Sequence, residues 1–362
     1  MNLVPVAYYH FVFFNALLAI VLIVFLQTRT SLLESQTNKN ATKFIGFLVL
    51  FLILYYIGLR PINYRFGDMV IYDIELQMYQ YGTPFNYSKD FLFESLKYIF
   101  AKNFGSTSFF LFCTLLYVMP MYSVSKKLFQ DYWFYAFIMF VTSFSFWAYG
   151  VNGIRNGVAT SVFLYGLTRD NKYAKIIILV STFFIHKSML IPILAYFLSL
   201  NYSNTKVLLR VWLLAIPLSF VAGGFFESFF LSLGFGDDKL ELYLGEFNAN
   251  EGVEIEVGFR WDFLVYSAFG IVSIWYYIIK RKMIDPYYSN LANMYIITNA
   301  VWVLVIRANY SNRFAYLSWF MMGLVIIYPL LKRYLFEDQN KKIGVILLIY
   351  FLFTYFLNII ST

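Results

Sequence analysis

The chain has 362 residues, of which 60% are hydrophobic, 22% aromatic and only 13% charged, with a net charge of +8. A water-soluble domain carries roughly 25% charged residues, so the composition excludes a soluble enzyme or binding module. The apolar residues form continuous blocks, which excludes an alternating strand barrel, and the Lys and Arg sit in short clusters between those blocks, a topology signal that argues against a nucleic-acid partner.

In chain order the apolar blocks run over 4–26, 43–59, 107–122, 132–150, 153–168, 174–186, 188–200, 207–231, 262–279, 287–306, 313–331 and 343–361. Most approach the length that spans a hydrocarbon core. The expected fold is an all-α polytopic membrane protein of about 11–12 segments, some broken or re-entrant, forming one transmembrane domain over 1–362. The first block has neither a basic leader nor a small-residue cleavage site and reads as a retained helix. His10 within it carries no motif and reads as structural. Cys113 is the only cysteine, so no intrachain disulfide can form.

With the N-terminus placed outside, the inner loops hold 17 of the 28 basic residues and 6 of the 20 acidic ones. The positive-inside rule favours this register. It requires 174–200 to turn at 185–188, because one tilted helix there would put the acidic loop 232–260 inside. Loops 60–106 and 232–260 are then extracytoplasmic. The first contains "FLFESLKYIFAK", an amphipathic stretch expected in the membrane interface.

Within this register polar residues gather at one side of the membrane. Arg155, flanked by Asn152 and Asn156, interrupts "FWAYGVNGIRNGVATSVFLYGL" near the outer end of its helix. An unpaired Arg at mid-bilayer costs at least about 2.5–3.5 kcal/mol, and the adjacent Asn and Gly predict a break there. Arg60, Arg65 and Asp68 follow the second block, His186 stands at the 185–188 turn, and Arg307 and Arg313 frame "RANYSNRFAY". Arginine forks match phosphate oxygens, so the cluster points to an anionic ligand. No phosphate-cradling Gly-rich loop and no metal-ligand spacing is present, so neither a metal nor another cofactor is expected.

Four stretches resemble the EpsG family of Wzy-type polysaccharide polymerases, in family order over roughly 43–335. They are "LRPINYRFGDMVIYDIE", "NGIRNGVATSVFLYGL", "FFIHKSMLIPILAYFL" and "SNRFAYLSWFMMGLV". Asn156 stands where the family usually has Gln, and Gly67–Asp68 lacks the residue often found between that pair. The resemblance implies a GT-C-like or Wzy-like helical enzyme in the bacterial inner membrane with an outward-facing site. It implies an activity that joins oligosaccharide repeat units carried on polyprenyl diphosphate into an exopolysaccharide, capsule or O-antigen chain. Expected partners are that lipid-linked oligosaccharide, membrane lipid, and a chain-length regulator and flippase of the same pathway. Carried onto this sequence, the catalytic set is His186, Arg155, Arg313 and Asp68, with Arg60, Arg65, Asn152, Asn156, Tyr72, Ser188 and Arg307 binding diphosphate or substrate. His186 is the expected base that takes the proton of the attacking sugar hydroxyl, with Asp68 second. The rival readings are a flippase for lipid-linked saccharides and another membrane transferase, a ligase or O-acyltransferase. A flippase would want polar groups through the membrane depth and pseudo-symmetric halves, and no internal repeat is visible.

Overall fold

A computed structural model describes residues 4–30, 36–87, 90–232, 258–308 and 311–360. Among these, every regular element is helical and there is no strand. The reason is the solvent: in lipid each backbone N–H and C=O must find its partner within the chain, and a helix does this locally. Among the described residues, seven helical stretches are long and apolar enough to cross a membrane: Val6–Arg29, Lys39–Gly58, Ser106–Val141, Thr205–Phe230, Trp261–Lys280, Asn312–Lys332 and Gln339–Ile359. The chain is a multi-pass α-helical membrane protein. Residues 233–257, most of the acidic loop expected over 232–260, lie outside the described residues.

The chain forms two compact units, one of residues 1–187 with 327–362 and one of 188–326. In the first, α1 (Tyr9–Thr30) packs along α15 (Gln339–Tyr355), and α2 (Gln36–Gly58) packs on α5 (Ser106–Phe129). At Gln130 the backbone takes a positive φ of 49°, and α6 (Trp133–Val141) folds back onto α5. The 132–150 block is therefore broken: α6 stops at Val141 and α7 (Phe144–Val151) restarts after Thr142 and Ser143. Next come α8 (Ile154–Leu167), packed on α5 and α7, and α9 (Lys172–Ser181), packed on α8.

The expected break beside Arg155 is present. α7 ends at Val151, and Asn152 and Gly153 separate it from α8. The two helices approach so closely that a Cβ on Gly157 would lie 2.6 Å from the Tyr149 carbonyl oxygen. The 174–200 segment is likewise broken and not one helix. It loses α-helical form after Ser181, runs through Ile185 and His186, and resumes as α10 (Leu190–Asn201). Pro192 gives a reason for the restart. It has no N–H to donate to Ser188, and it sits in the first turn of α10, where that donor is not needed.

Outside the long spans, α3 (Met69–Gln80) pairs with α4 (Phe91–Asn103). α4 is inverted relative to a helix in water: it buries Glu94 and Lys97 and exposes Phe91, Leu92 and Ile99. α3 exposes Ile71, Ile74 and Met78. A helix pair with charges inside and apolar side chains outside suits a lipid boundary.

The second unit is built from α10, α11 (Thr205–Ser232), α12 (Trp261–Ile274), α13 (Pro286–Leu304) and most of α14 (Asn312–Lys332). α13 packs against α10, α11 and α12. Lipid gives apolar helices little drive to associate, so buried polar groups act as ties. Asn299 is such a tie. Its Oδ1 accepts from Trp212 Nε1 at 2.6 Å, and its Nδ2 donates to Ser267 Oγ at 3.1 Å and Ser318 Oγ at 2.8 Å. It thus links α11, α12, α13 and α14.

Candidate active site

The polar set of the first unit forms where α3, α8, the break after α9 and the start of α4 converge. Arg155, in the first turn of α8, donates from Nε to the Tyr72 hydroxyl at 3.1 Å and from Nη1 to Asp90 Oδ2 at 2.9 Å. Two partners on two edges fix the plane of the guanidinium, which a single contact would leave free to swing. The Asp90 side chain is buried, and its second oxygen accepts from the Lys187 backbone N–H at 3.2 Å. One carboxylate therefore joins Arg155 to the residue following His186.

His186 is only 6% exposed. Its Nε2 lies 3.3 Å from Asn156 Nδ2. An amide nitrogen can only donate, so this contact is a hydrogen bond when Nε2 is the acceptor, the tautomer that carries its ring proton on Nδ1. This is the tautomer a general base at Nε2 requires. Asn156 follows Arg155 directly, so adjacent residues of α8 hold the arginine and the histidine.

A second layer supports the first. Lys97 is 2% exposed and pairs with Glu75 and Glu94, each at 2.5 Å. Its ammonium lies 5.7 Å from the centre of the Tyr72 ring. Tyr72 is thus held from below by Lys97 and engages Arg155 above. Asp68 and Asn152 meet through backbone: the Asp68 N–H donates to Asn152 Oδ1 at 3.0 Å. Gly67 makes this possible. Its φ is 64°, and a Cβ there would lie 2.1 Å from Asn152 Oδ1; only glycine accepts both constraints.

The remaining predicted residues sit differently. Arg60 is buried, its Nη1 donating to the Ile57 carbonyl and its Nη2 to the Val151 carbonyl at 3.2 Å. It ties the end of α2 to the end of α7, and its guanidinium lies 5.7 Å from both the Phe66 and the Phe110 ring centres. Arg65 is exposed at a short turn before α3. Ser188 is buried, at the first position of the second unit. Arg307 is exposed and Arg313 half-buried, and both belong to the second unit. The structure therefore brings Arg155, Asn156, His186 and Tyr72 together, with Asp68 and Asn152 joined beside them. No group of three or more His, Cys, Asp or Glu suited to a metal occurs among the described residues.

Sequence reasoning missed Asp90, Glu75, Glu94 and Lys97. An Asp just before a helix reads as its N-cap, yet Asp90 makes no capping bond and serves Arg155 instead. Glu94 and Lys97 stand three apart and read as an exposed helix pair. The signal that reveals them is the apolar character of the opposite face of α4.

The sequence model of the EpsG family matches residues 47–362, and the chain belongs to that family. No curated protein and no solved structure matches the chain.

Proposed function

We propose that this EpsG-family membrane protein is a polysaccharide polymerase that joins polyprenyl-diphosphate-linked oligosaccharides, with Arg155, Asn156 and His186 at its reacting centre. The observation that carries the proposal is that consecutive residues of α8 supply an oriented guanidinium, Arg155, and the amide of Asn156 that holds His186 at Nε2.

The chemistry needs two things. The bond from the anomeric carbon to the diphosphate oxygen breaks, and negative charge grows on the departing diphosphate. A guanidinium held in place by Tyr72 and Asp90 stabilises that charge without reorganising during the reaction. A sugar hydroxyl of the incoming repeat unit forms the new bond to the same carbon and gives up its proton. On this reading the hydroxyl displaces Asn156 as the donor to His186 Nε2, and the proton passes to that nitrogen. Asn156 keeps Nε2 facing the site until substrate arrives. For Arg307 and Arg313 the support is the family motif alone, and their part in diphosphate binding stays within the proposal. The same holds for Arg60 and Arg65, for Asp68 as the alternative base, and for an outward-facing site in the bacterial inner membrane.

The test is reconstitution. Purified protein in liposomes receives a defined polyprenyl-diphosphate repeat unit without nucleotide sugar. A ladder of products spaced by one repeat unit supports the proposal. Unchanged substrate, with the protein folded and the lipid bound, sinks it.

A further inference from the structure

Between α3 and α4 lies a cleft of about 570 Å³ that the reaction above does not use. It is lined by Glu75, Met78, Tyr79, the 83–87 loop and Glu94. This size is within the range of small-molecule sites, roughly 300–1,000 Å³.

Its floor is charged. Glu75 and Glu94 both contact Lys97, so two carboxylates share one ammonium. Lys97 already stands where a bound cation would, and each carboxylate oxygen has more than one lone pair for donors. Glu94 is deeply buried while Glu75 is partly open to the cleft; a carboxylate as deep as Glu94 costs several kcal/mol unless hydrogen bonds satisfy it. Tyr79 helps satisfy this floor: its hydroxyl donates a hydrogen bond to Glu94, and burial with that carboxylate beside it pushes the phenol up to about 12, so the hydroxyl keeps its proton. The wall is aromatic. Phe85 meets Tyr87 at 4.8 Å and Tyr98 at 5.7 Å between ring centres. Tyr87 is nonetheless 80% exposed, presenting an open ring face beside a polar floor.

We infer that the α3–α4 cleft is a saccharide subsite, its carboxylate floor accepting vicinal sugar hydroxyls and its Tyr87–Phe85 wall packing on the apolar face of a pyranose ring. A flat ring next to acceptor oxygens complements a sugar, which carries C–H groups on one face and O–H groups at its edge. The cleft also adjoins the reacting centre: Lys97 beneath it touches Tyr72, and Tyr72 holds Arg155. From the carboxylate floor the contacts run through Lys97 and then Tyr72 to the arginine. The assignment rests on the polymerase reading for its place in the reaction, but not for its chemistry.

The experiment therefore uses free sugars and no lipid-linked substrate. The protein in nanodiscs, free of sugar-based detergent, is offered methyl glycosides of glucose, galactose, N-acetylglucosamine and rhamnose, and binding is read by saturation-transfer NMR. At least one glycoside is expected to bind. Tyr87→Ala, on an exposed side chain, is expected to weaken that binding about tenfold, and Glu75→Gln, which keeps shape and removes charge, to weaken it similarly. Tyr81→Ala, exposed but outside the cleft, is the control and leaves binding unchanged. No signal from any glycoside overturns the inference, as does binding that ignores both cleft variants or falls equally with Tyr81→Ala. Sugar binding here by a protein that makes no ladder keeps the subsite and removes the polymerase reading.

Discussion

At the scale of single residues the account turns on whether His186 moves a proton or only ties a loop. Its bond to Asn156 serves either role, and two substitutions separate them. His186→Ala is expected to retain lipid-linked substrate and lose polymer formation, about 10²–10⁴-fold if it acts as a general base. His186→Gln preserves hydrogen bonding but cannot take the proton, and is expected to fail equally at matched membrane levels. Substantial ladder formation by the Gln variant moves the base to Asp68. Asp90 gives a second prediction. Asp90→Ala leaves the Arg155 guanidinium and the Lys187 N–H without their buried acceptor, which costs about 1–3 kcal/mol; Asp90→Asn keeps one acceptor oxygen and turns an amide N–H toward the other donor, so it should restore the melting temperature only in part while lowering kcat. Arg155, Asn156 and His186 were legible in the sequence because polar groups in an apolar helix demand a reason. Asp90 was not, since its position before α4 has an ordinary explanation as a cap. Lys97 was hidden because Glu94 and Lys97, three apart, read as an exposed pair; the apolar face opposite them on α4 was the signal that places them inside.

Among the elements, close approaches of backbone decide where the site can form. Gly157→Ala drives a Cβ into the Tyr149 carbonyl, where the neighbour is backbone and cannot swing aside. Overpacking of this kind costs about 1–3 kcal/mol, and we expect a lowered melting temperature together with loss of activity, because Arg155 and Asn156 ride on the same turn. Gly157→Ala with wild-type stability and turnover would show that α7 and α8 are not packed this tightly. In the second unit, Asn299→Ala leaves Trp212 Nε1, Ser267 and Ser318 without a shared partner. A loss of about 1–3 kcal/mol is expected, read by thermal denaturation in nanodiscs. The breaks at 152–153 and 185–186 were readable, one from Asn–Gly beside a charge and one from the charge register, which required 174–200 to turn. The break at Thr142–Ser143 was not. No Gly or Pro marks it, and Thr142 closes α6 by returning its hydroxyl to the Ile138 carbonyl, a local bond that Ser and Thr make in many unbroken helices too.

For the whole molecule, the orientation expected in the membrane rests on charge. Basic residues concentrate on the loops assigned to the inside, and Lys127 pairs with Asp170 between two such loops at 2.5 Å. Thr83→Cys is expected to react with a membrane-impermeant thiol reagent in intact cells, and Lys172→Cys only after permeabilisation, both in a Cys113→Ser background. The reverse pattern inverts the topology and moves the site to the cytoplasm. The all-α membrane class was legible from composition alone, because lipid imposes helices on any long apolar run. The division into two compact units was not, since it arises from which helices pack together and not from any linker in the chain. The central claim, that Arg155 stabilises departing diphosphate in a polymerase, is tested most directly by comparing wild-type protein with Arg155→Lys in reconstituted liposomes given the same lipid-linked repeat unit. Lysine keeps the charge but cannot span Tyr72 and Asp90 while presenting a planar fork to phosphate. The account predicts that Arg155→Lys folds, binds the substrate and yields at least about 10²-fold less polymer than wild type; a ladder of normal length and rate from that variant would contradict it.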